Sequence, residues 1–230
     1  MQVEPSDVRG VDLIGPGDSG FEAAISSLLG RAPGDVLKPA LPYSVIVRNS
    51  HTLALALIGI RFDMTGRGNR SFSVIHYADM LRHADRAALT PGAMRFVCAE
   101  PLYTDMVLRG ADEVGARGPM NLEKLRTASA ARVSLDCAAF ADGTFAGPDS
   151  LQAFDRLEAE RTAELALVAE LLSAGCSVEA LIAEASETSA PGGPRALARK
   201  LSQALEAGGR EEALARARAH KVRISLRREA

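Results

Sequence analysis

The middle of the chain alternates apolar and polar residues, the pattern of a half-buried β-strand. Tyr43, Val45 and Val47 alternate with Ser44 and Arg48, which predicts the first strand. Turn residues at Thr65 to Arg70 and at Thr90 to Gly92 separate the strands. The same alternation predicts three more strands, through Ile58, Ile60 and Phe62, through Phe72, Val74 and Ile75, and through Met94, Phe96 and Cys98.

A β-hairpin is predicted where a further alternating stretch, Val133 to Ala139, runs into Asp142 and Gly143. An Asp-Gly pair between apolar flanks is typical of a two-residue turn, because both turn positions need a positive φ. We therefore expect Asp142 and Gly143 at the tip of the hairpin.

After this hairpin the hydrophobic period becomes helical. Asp149 is placed to cap a helix, with Gln152 completing a capping box. The apolar stripe of that helix is expected to be buried, and it comprises Phe154, Leu157, Leu165, Val168 and Leu172. Three more helices are predicted, from Ser177 to Ala185, from Pro194 to Gly208 and Gly209, and from Glu211 to Ala219.

The two ends of the chain have patterns of their own. Residues 1–42 are rich in Gly, Pro and Asp, and they form an N-terminal extension with one short helix, Phe21 to Leu29, which Ser19 introduces and Gly30 ends. At the other end an apolar row alternates with basic residues, and burial of this row favours docking of Lys221 to Leu226 as a strand.

The predicted fold class is therefore α+β, a β-sandwich-like middle followed by an α-helical C-terminal part. Its parts are the N-terminal extension (1–42), a β-sandwich-like domain (43–148) and an α-helical region with a possible terminal strand (149–230).

Short motifs in the predicted strands resemble those of bacterial immunoglobulin-like or fibronectin-like β-sandwich modules. Val45 to Ser50 is predicted to be a strand that ends in a turn of Asn and polar residues, and an apolar strand follows. Leu89 to Gly92 then precedes the strand that contains Arg95 to Val97. The resemblance covers residues 43–101. It implies a β-sandwich and a role in binding or spacing other domains, and it implies no particular activity.

Charge is nearly balanced overall but uneven along the chain. The formal net charge is −2, whereas residues 195–230 carry 10 Lys and Arg against 4 Asp and Glu. This basic end raises the hypothesis of nucleic-acid binding. It lacks the aromatic stacking residues and the defined module of nucleic-acid-binding proteins, so a protein partner, either a second copy or another protein, is favoured.

Three cysteines and a polar N-terminus bear on the compartment. Cys98, Cys137 and Cys176 are odd in number and have no CxxC spacing, which favours a reducing compartment. The first residues lack a signal-peptide pattern, and the longest apolar run, Leu53 to Ile60, is too short to span a membrane. We expect a cytoplasmic protein without a membrane span, and secretion stays open.

The histidines provide the one candidate for a metal or acid–base site. His51, His76 and His83 lie near Asp79 and Asp85, and imidazole and carboxylate groups are common metal ligands. A helix would align His76, Asp79 and His83 on one face. The strand pattern of Phe72 to Tyr77 opposes that alignment, so we expect turn or surface histidines.

Two functional classes remain after these motifs are weighed. No catalytic motif has the structural context that its chemistry needs, which favours a non-catalytic interaction or scaffold protein without a cofactor. The alternative is an enzyme, metal-dependent around His51, His76 and His83, whose site is not recognisable from the sequence.

Overall fold

The computed structural model describes residues 1–66, 70–79, 88–108, 125–173, 177–188, 193–220 and 226–229. The fold is mixed α+β, as predicted, with most strands in the middle and the helices concentrated in the C-terminal part. It divides into two compact units. The strand-rich unit comprises Met1–Ser150 and Arg227–Ala230, and the helical unit comprises Leu151–Leu226.

The strand-rich unit contains two sheets. The six-stranded sheet has the order β5-β4-β7-β8-β9, with β1 pairing to β7, and the three-stranded sheet has the order β2-β3-β6. The strands are β1 (Gln2–Val3), β2 (Val11–Ile14), β3 (Ser44–Asn49), β4 (Leu55–Thr65), β5 (Ser71–Asp79), β6 (Met94–Cys98), β7 (Ala130–Phe140), β8 (Thr144–Ala146) and β9 (Arg227–Arg228).

Apolar residues from both sheets form one hydrophobic core. Val45 and Phe96 belong to the three-stranded sheet, Ile60 and Val133 belong to the six-stranded sheet, and all four are buried in the same cluster. The inward positions of each strand supply these residues, as the alternating pattern requires. The core therefore fixes which side chains of β4 and β5 face inward.

The hairpin between β7 and β8 is confirmed, with a different turn from the one predicted. Gly143 has φ 91° and its N–H donates to the Phe140 carbonyl at 2.9 Å. Asp142 is not among the described residues with positive φ. Ala141, Asp142 and Gly143 thus form a three-residue loop, in which only the glycine needs the left-handed conformation.

The N-terminal residues contain the predicted helix and two strands that the sequence pattern missed. Helix α1 spans Phe21–Leu29 and ends at Gly30, whose φ is 68°. Gly20, not Ser19, occupies the N-cap position. Strands β1 and β2 are only two and four residues long, too short to give a recognisable alternation.

A short helix, α2 (Pro101–Leu108), follows β6 directly, and a 3₁₀ helix (Lys38–Tyr43) precedes β3. The helical unit contains α3 (Ala153–Ser173), α4 (Val178–Thr188) and α5 (Gly193–Ala219). Gly209 interrupts α5 with φ 70° and ψ −167°, so the two helices predicted on either side of this glycine are confirmed. No helix in the described part of the chain is long and apolar enough to cross a membrane.

The predicted start and buried stripe of α3 are wrong in detail. Asp149 and Gln152 have φ values of 53° and 52°, so they form a turn and the helix begins at Ala153. Leu157 is buried and Val168 packs against the core of the helical unit, as predicted, whereas Leu165 and Leu172 are 48% and 45% exposed. Leu171, which was not in the predicted stripe, is buried. The helix is therefore rotated by about one residue position from the predicted stripe.

Glu164 shares the helix face of Leu157 and Leu171. Its Oε2 lies 3.2 Å from His220 Nε2, and only 15% of its side chain is exposed. A polar contact thus occupies the middle of the buried face, and an apolar pattern cannot reveal it.

The C-terminal strand prediction is tested only in part. Residues 221–225 lie outside the described residues, and β9 begins just after them. Strand β9 pairs in parallel with β8, and Arg227 and Arg228 form ion pairs with Asp142 and Asp149 at 2.6 and 3.2 Å.

Candidate functional site

Strand β5 forms one edge of the six-stranded sheet. It pairs antiparallel with β4 over nine residues, from Ser71 opposite Thr65 to Asp79 opposite Leu57, without a register shift. No strand in the described ranges pairs with its other side. We call the backbone N–H and C=O groups of Ser71–Asp79 that point away from β4 the β5 edge. An edge of this kind offers hydrogen bonds to another extended chain.

The two faces of β5 differ because β4 fixes their orientation. Val74 and His76 lie opposite Phe62 and Ile60, which are core residues, so the even-numbered positions face inward. Ile75 lies opposite Arg61 on the other face. Val74 and Ala78 pack against the core, and Phe72 at the strand's beginning is 38% exposed.

His76 has partners on the inward face. Its Nε2 lies 3.2 Å from the Ala99 carbonyl oxygen, and its ring meets Phe62 edge-on with centroids 5.9 Å apart. Burial lowers the pKa of His76 below its ordinary value of 6.5, although Ala99, Glu100 and Asp105 oppose this shift. The ring is therefore neutral at pH 7, and Nε2 carries the proton that the carbonyl accepts.

A cavity of about 250 Å³ lies beside β5. His76, Tyr77 and Ala78 of β5 line it, together with residues of β4, β6 and α2. Its apolar wall includes Ile58, Ile60, Val97 and Leu108, and its polar wall includes Arg95, Thr104 and Asp105. The Thr104 hydroxyl also accepts the Cys98 N–H at 2.9 Å, which ties α2 to the end of β6.

Glu100 lies at the junction between β6 and α2. Its side chain is buried, with the residue 3% exposed, and Oε1 accepts the Leu102 N–H at 3.4 Å. Among the side chains that the structure describes, its Oε2 is the one buried polar atom without a hydrogen-bond partner. Glu100 directly precedes the first residue of α2, and the helix dipole favours a negative charge at this end of a helix.

A second group of buried polar residues lies where β7 meets the turn before α3. Ligand atoms of Asp136, Cys137 and Asp149 all lie within 4.8 Å of one another. Asp136 Oδ1 already accepts the Ser150 N–H at 3.1 Å and its hydroxyl at 2.5 Å. Asp149 Oδ2 accepts Arg228. Because protein donors hold these carboxylates, the group is best explained as a structural hydrogen-bond network.

His51 and His76, which the sequence placed in one candidate site, have different neighbours in the structure. His76 and Asp79 lie on strand β5, so the helical alignment does not occur. His51 packs against Phe140 with the two rings tilted by 43° and their centroids 4.4 Å apart, and its Nδ1 accepts the Leu53 N–H. His83 and Asp85 lie outside the described residues.

Sequence reasoning missed the polar residues around the cavity. Arg95 falls within a predicted strand, and Glu100 and Asp105 fall within or next to a stretch without a clear pattern. The one available signal was Glu100 before Pro101, because proline is common at the first position of a helix. Only the fold brings these residues close to His76.

Comparison with families of known proteins, with curated proteins and with solved structures gave no match for this chain.

Proposed function

We propose that this chain is a non-catalytic interaction protein that joins polypeptides by adding an extended strand to the β5 edge. The observation that carries this proposal is a nine-residue edge strand, paired without a bulge on one side and with no described strand on the other. Main-chain hydrogen bonds supply the affinity in this mode of recognition, and pockets for alternate side chains supply specificity.

Several devices that protect natural edge strands are missing from β5. Edges are commonly blunted by lysine, by proline, by a bulge or by a very short strand. Ser71–Asp79 contains no Lys, Arg or Pro and pairs in continuous register. A strand without these features can pair with another extended chain. Strand β5 is also longer than an average strand.

The cavity beside β5 suits the same mode. Inward side chains of an added strand would project next to His76 and Ala78, which line the cavity together with residues of α2. Its mixed wall accepts a side chain with an apolar body and a polar tip.

The strand order supports an immunoglobulin-like framework for this role. In such sandwiches strands A, B and E are neighbours in one sheet, and C′, C, F and G are neighbours in the other. The orders β2-β3-β6 and β5-β4-β7-β8 follow this arrangement. Strand β5 would then be the C′ edge strand.

The enzyme alternative is less well supported by the geometry around the cavity. His76 is neutral and its Nε2 proton is held by a carbonyl, so this nitrogen is not available as a base. Burial raises the pKa of Cys98 to about 12, which keeps its thiol protonated. Nucleic-acid binding is also disfavoured, since Arg216, Arg227 and Arg228 form ion pairs with acidic residues of the chain itself.

Peptide binding tests the proposed function. Random peptides about ten residues long, which is ample for one strand, are selected against the purified full chain. The best binder is then made in two forms, N-methylated at odd or at even residues. Only one form can lose the hydrogen bonds to the β5 edge, and losing several bonds should weaken binding at least about 100-fold.

Hydrogen exchange shows where the peptide binds. We expect the selected peptide to protect amides within Ser71–Asp79. Equal affinity of the two methylated forms, protection confined to other strands, or failure to select any binder for a chain that is monomeric in the assay would each contradict the proposal.

A further inference from the structure

We infer that the strand added to the β5 edge is β5 of a second copy of this chain, antiparallel, with the two-fold axis passing through Ile75. This inference rests on the proposed function and names the partner of that same site. A two-fold interface uses the same surface on both subunits, so β5 must complement itself. The sequence of Ser71–Asp79 shows whether β5 can complement itself.

The register follows from two constraints. Inward residues of one copy must lie opposite inward residues of the other, so even positions pair with even and odd with odd. Full overlap of Ser71–Asp79 with itself then centres the pairing on Ile75. Residue 73 falls opposite residue 77, and residue 74 opposite residue 76.

The side chains that meet in this register are compatible on both faces. On the inward face Val74 lies opposite His76, which is neutral at pH 7. On the outward face Ser73 lies opposite Tyr77, and Ile75 lies opposite its own copy. Pairs of apolar or aromatic residues with β-branched residues stabilise neighbouring strands.

Charge also favours the self-pairing. Asp79, at the strand's end, is the one residue with a formal charge in Ser71–Asp79, so no like charges meet along the ladder. The register places Asp79 opposite Ser71 of the second copy, which is uncharged.

Disulfide trapping tests the register. Each variant is made in a Cys176→Ser background, with Cys176→Ser alone as the control. Directly opposite residues have Cα atoms about 4.5–5.5 Å apart, within disulfide range, whereas two copies of residue 73 would be about 13 Å apart. We expect Ile75→Cys to link to itself under mild oxidation. Ser73→Cys should link only when mixed with Tyr77→Cys.

Charge exchange tests the interface without a covalent bond. Ile75→Lys places two positive charges opposite each other, and Ile75→Glu places two negative charges there. We expect a dimer for the natural chain by light scattering and a dimer dissociation constant at least about tenfold higher for each variant, with tight pairing restored when the two variants are mixed. Thermal unfolding of each variant verifies that it is folded.

The outcomes separate this inference from the proposed function. A monomeric natural chain that still binds the selected peptide at β5 would overturn the self-pairing alone, and would indicate a different polypeptide partner. A dimer that survives Ile75→Lys, or one in which Ile75→Cys fails to link, would place the interface elsewhere. A monomer that also binds no peptide would overturn both.

Discussion

At the residue scale, backbone conformation and hydrogen bonds explain why particular residues are needed at positions where the hydrophobic pattern gives no reason. Gly147 has φ 114°, and a Cβ atom there would lie 2.7 Å from the Asp136 carbonyl oxygen. The close approach lets the Asp149 N–H reach that same oxygen at 2.8 Å. The glycine thus positions the hydrogen-bond network of Asp136, Asp149 and Ser150.

Replacement of Gly147 should therefore destabilise the strand-rich unit. We expect Gly147→Ala to lower the free energy of unfolding by at least about 2 kcal/mol, because alanine is strained at this φ and also clashes with β7. Gly17→Ala is the matched control, since nothing lies within 4 Å of its added Cβ and its φ is not positive. Urea unfolding compares the two variants, and equal stabilities would show that the turn is drawn wrongly.

Asp142 at the hairpin tip makes stability depend on pH. Its pKa is lowered from 3.8, first by the Thr144 N–H that its carboxylate accepts and further by the Thr144 hydroxyl and Arg227. A lowered folded-state pKa means that the stabilisation is complete above the unfolded-state pKa and disappears as the pH falls through the folded value.

Asp142→Asn should accordingly destabilise the protein near neutral pH and have a smaller effect near pH 3. The measurement is the difference in unfolding free energy between the natural chain and the variant, followed across this range. A difference that stays constant or grows as the pH falls would have the wrong sign for this account.

At the element scale, the sequence predicts where a helix or strand occurs better than it predicts which of its faces is buried. Local signals predict helix α1, the β7–β8 hairpin and the break of α5 at Gly209. Glycines mark turns and helix ends, and the spacing of apolar residues marks a helix, so each can be recognised within a short stretch of sequence. The buried face of α3 does not follow, since Leu171 and Leu172 are equally apolar and no local pattern shows that Glu164 contacts His220 on the buried face.

These two leucines form a matched pair for testing the orientation of α3. Leu171 is 2% exposed and belongs to the core of the helical unit, whereas Leu172 is 45% exposed. Leu171→Ala should cost about 2–5 kcal/mol through lost burial and a cavity, and Leu172→Ala less than about 0.5 kcal/mol. The reverse order in chemical unfolding would restore the stripe predicted from the sequence.

At the scale of the whole molecule, contacts between distant parts of the chain determine which residues meet at the candidate site, and sequence reasoning could not predict these contacts. The candidate site unites His76 of β5 with Arg95 of β6 and Asp105 of α2, and no local pattern connects these three residues. The edge position of β5 is equally invisible in the sequence, because a strand's neighbours depend on the sheet order. Alternation predicted the strand, and only the topology identifies the side on which no described strand pairs with it.

The central claim is that copies of this chain pair through the β5 edge, and hydrogen exchange as a function of protein concentration tests it most directly. At high concentration we expect alternate amides of Ser71–Asp79 to gain protection, since only every second N–H of an antiparallel edge points to the added strand. The amides of β2, an edge strand of the other sheet, provide the internal control. Exchange in β5 that does not change with concentration would contradict the claim.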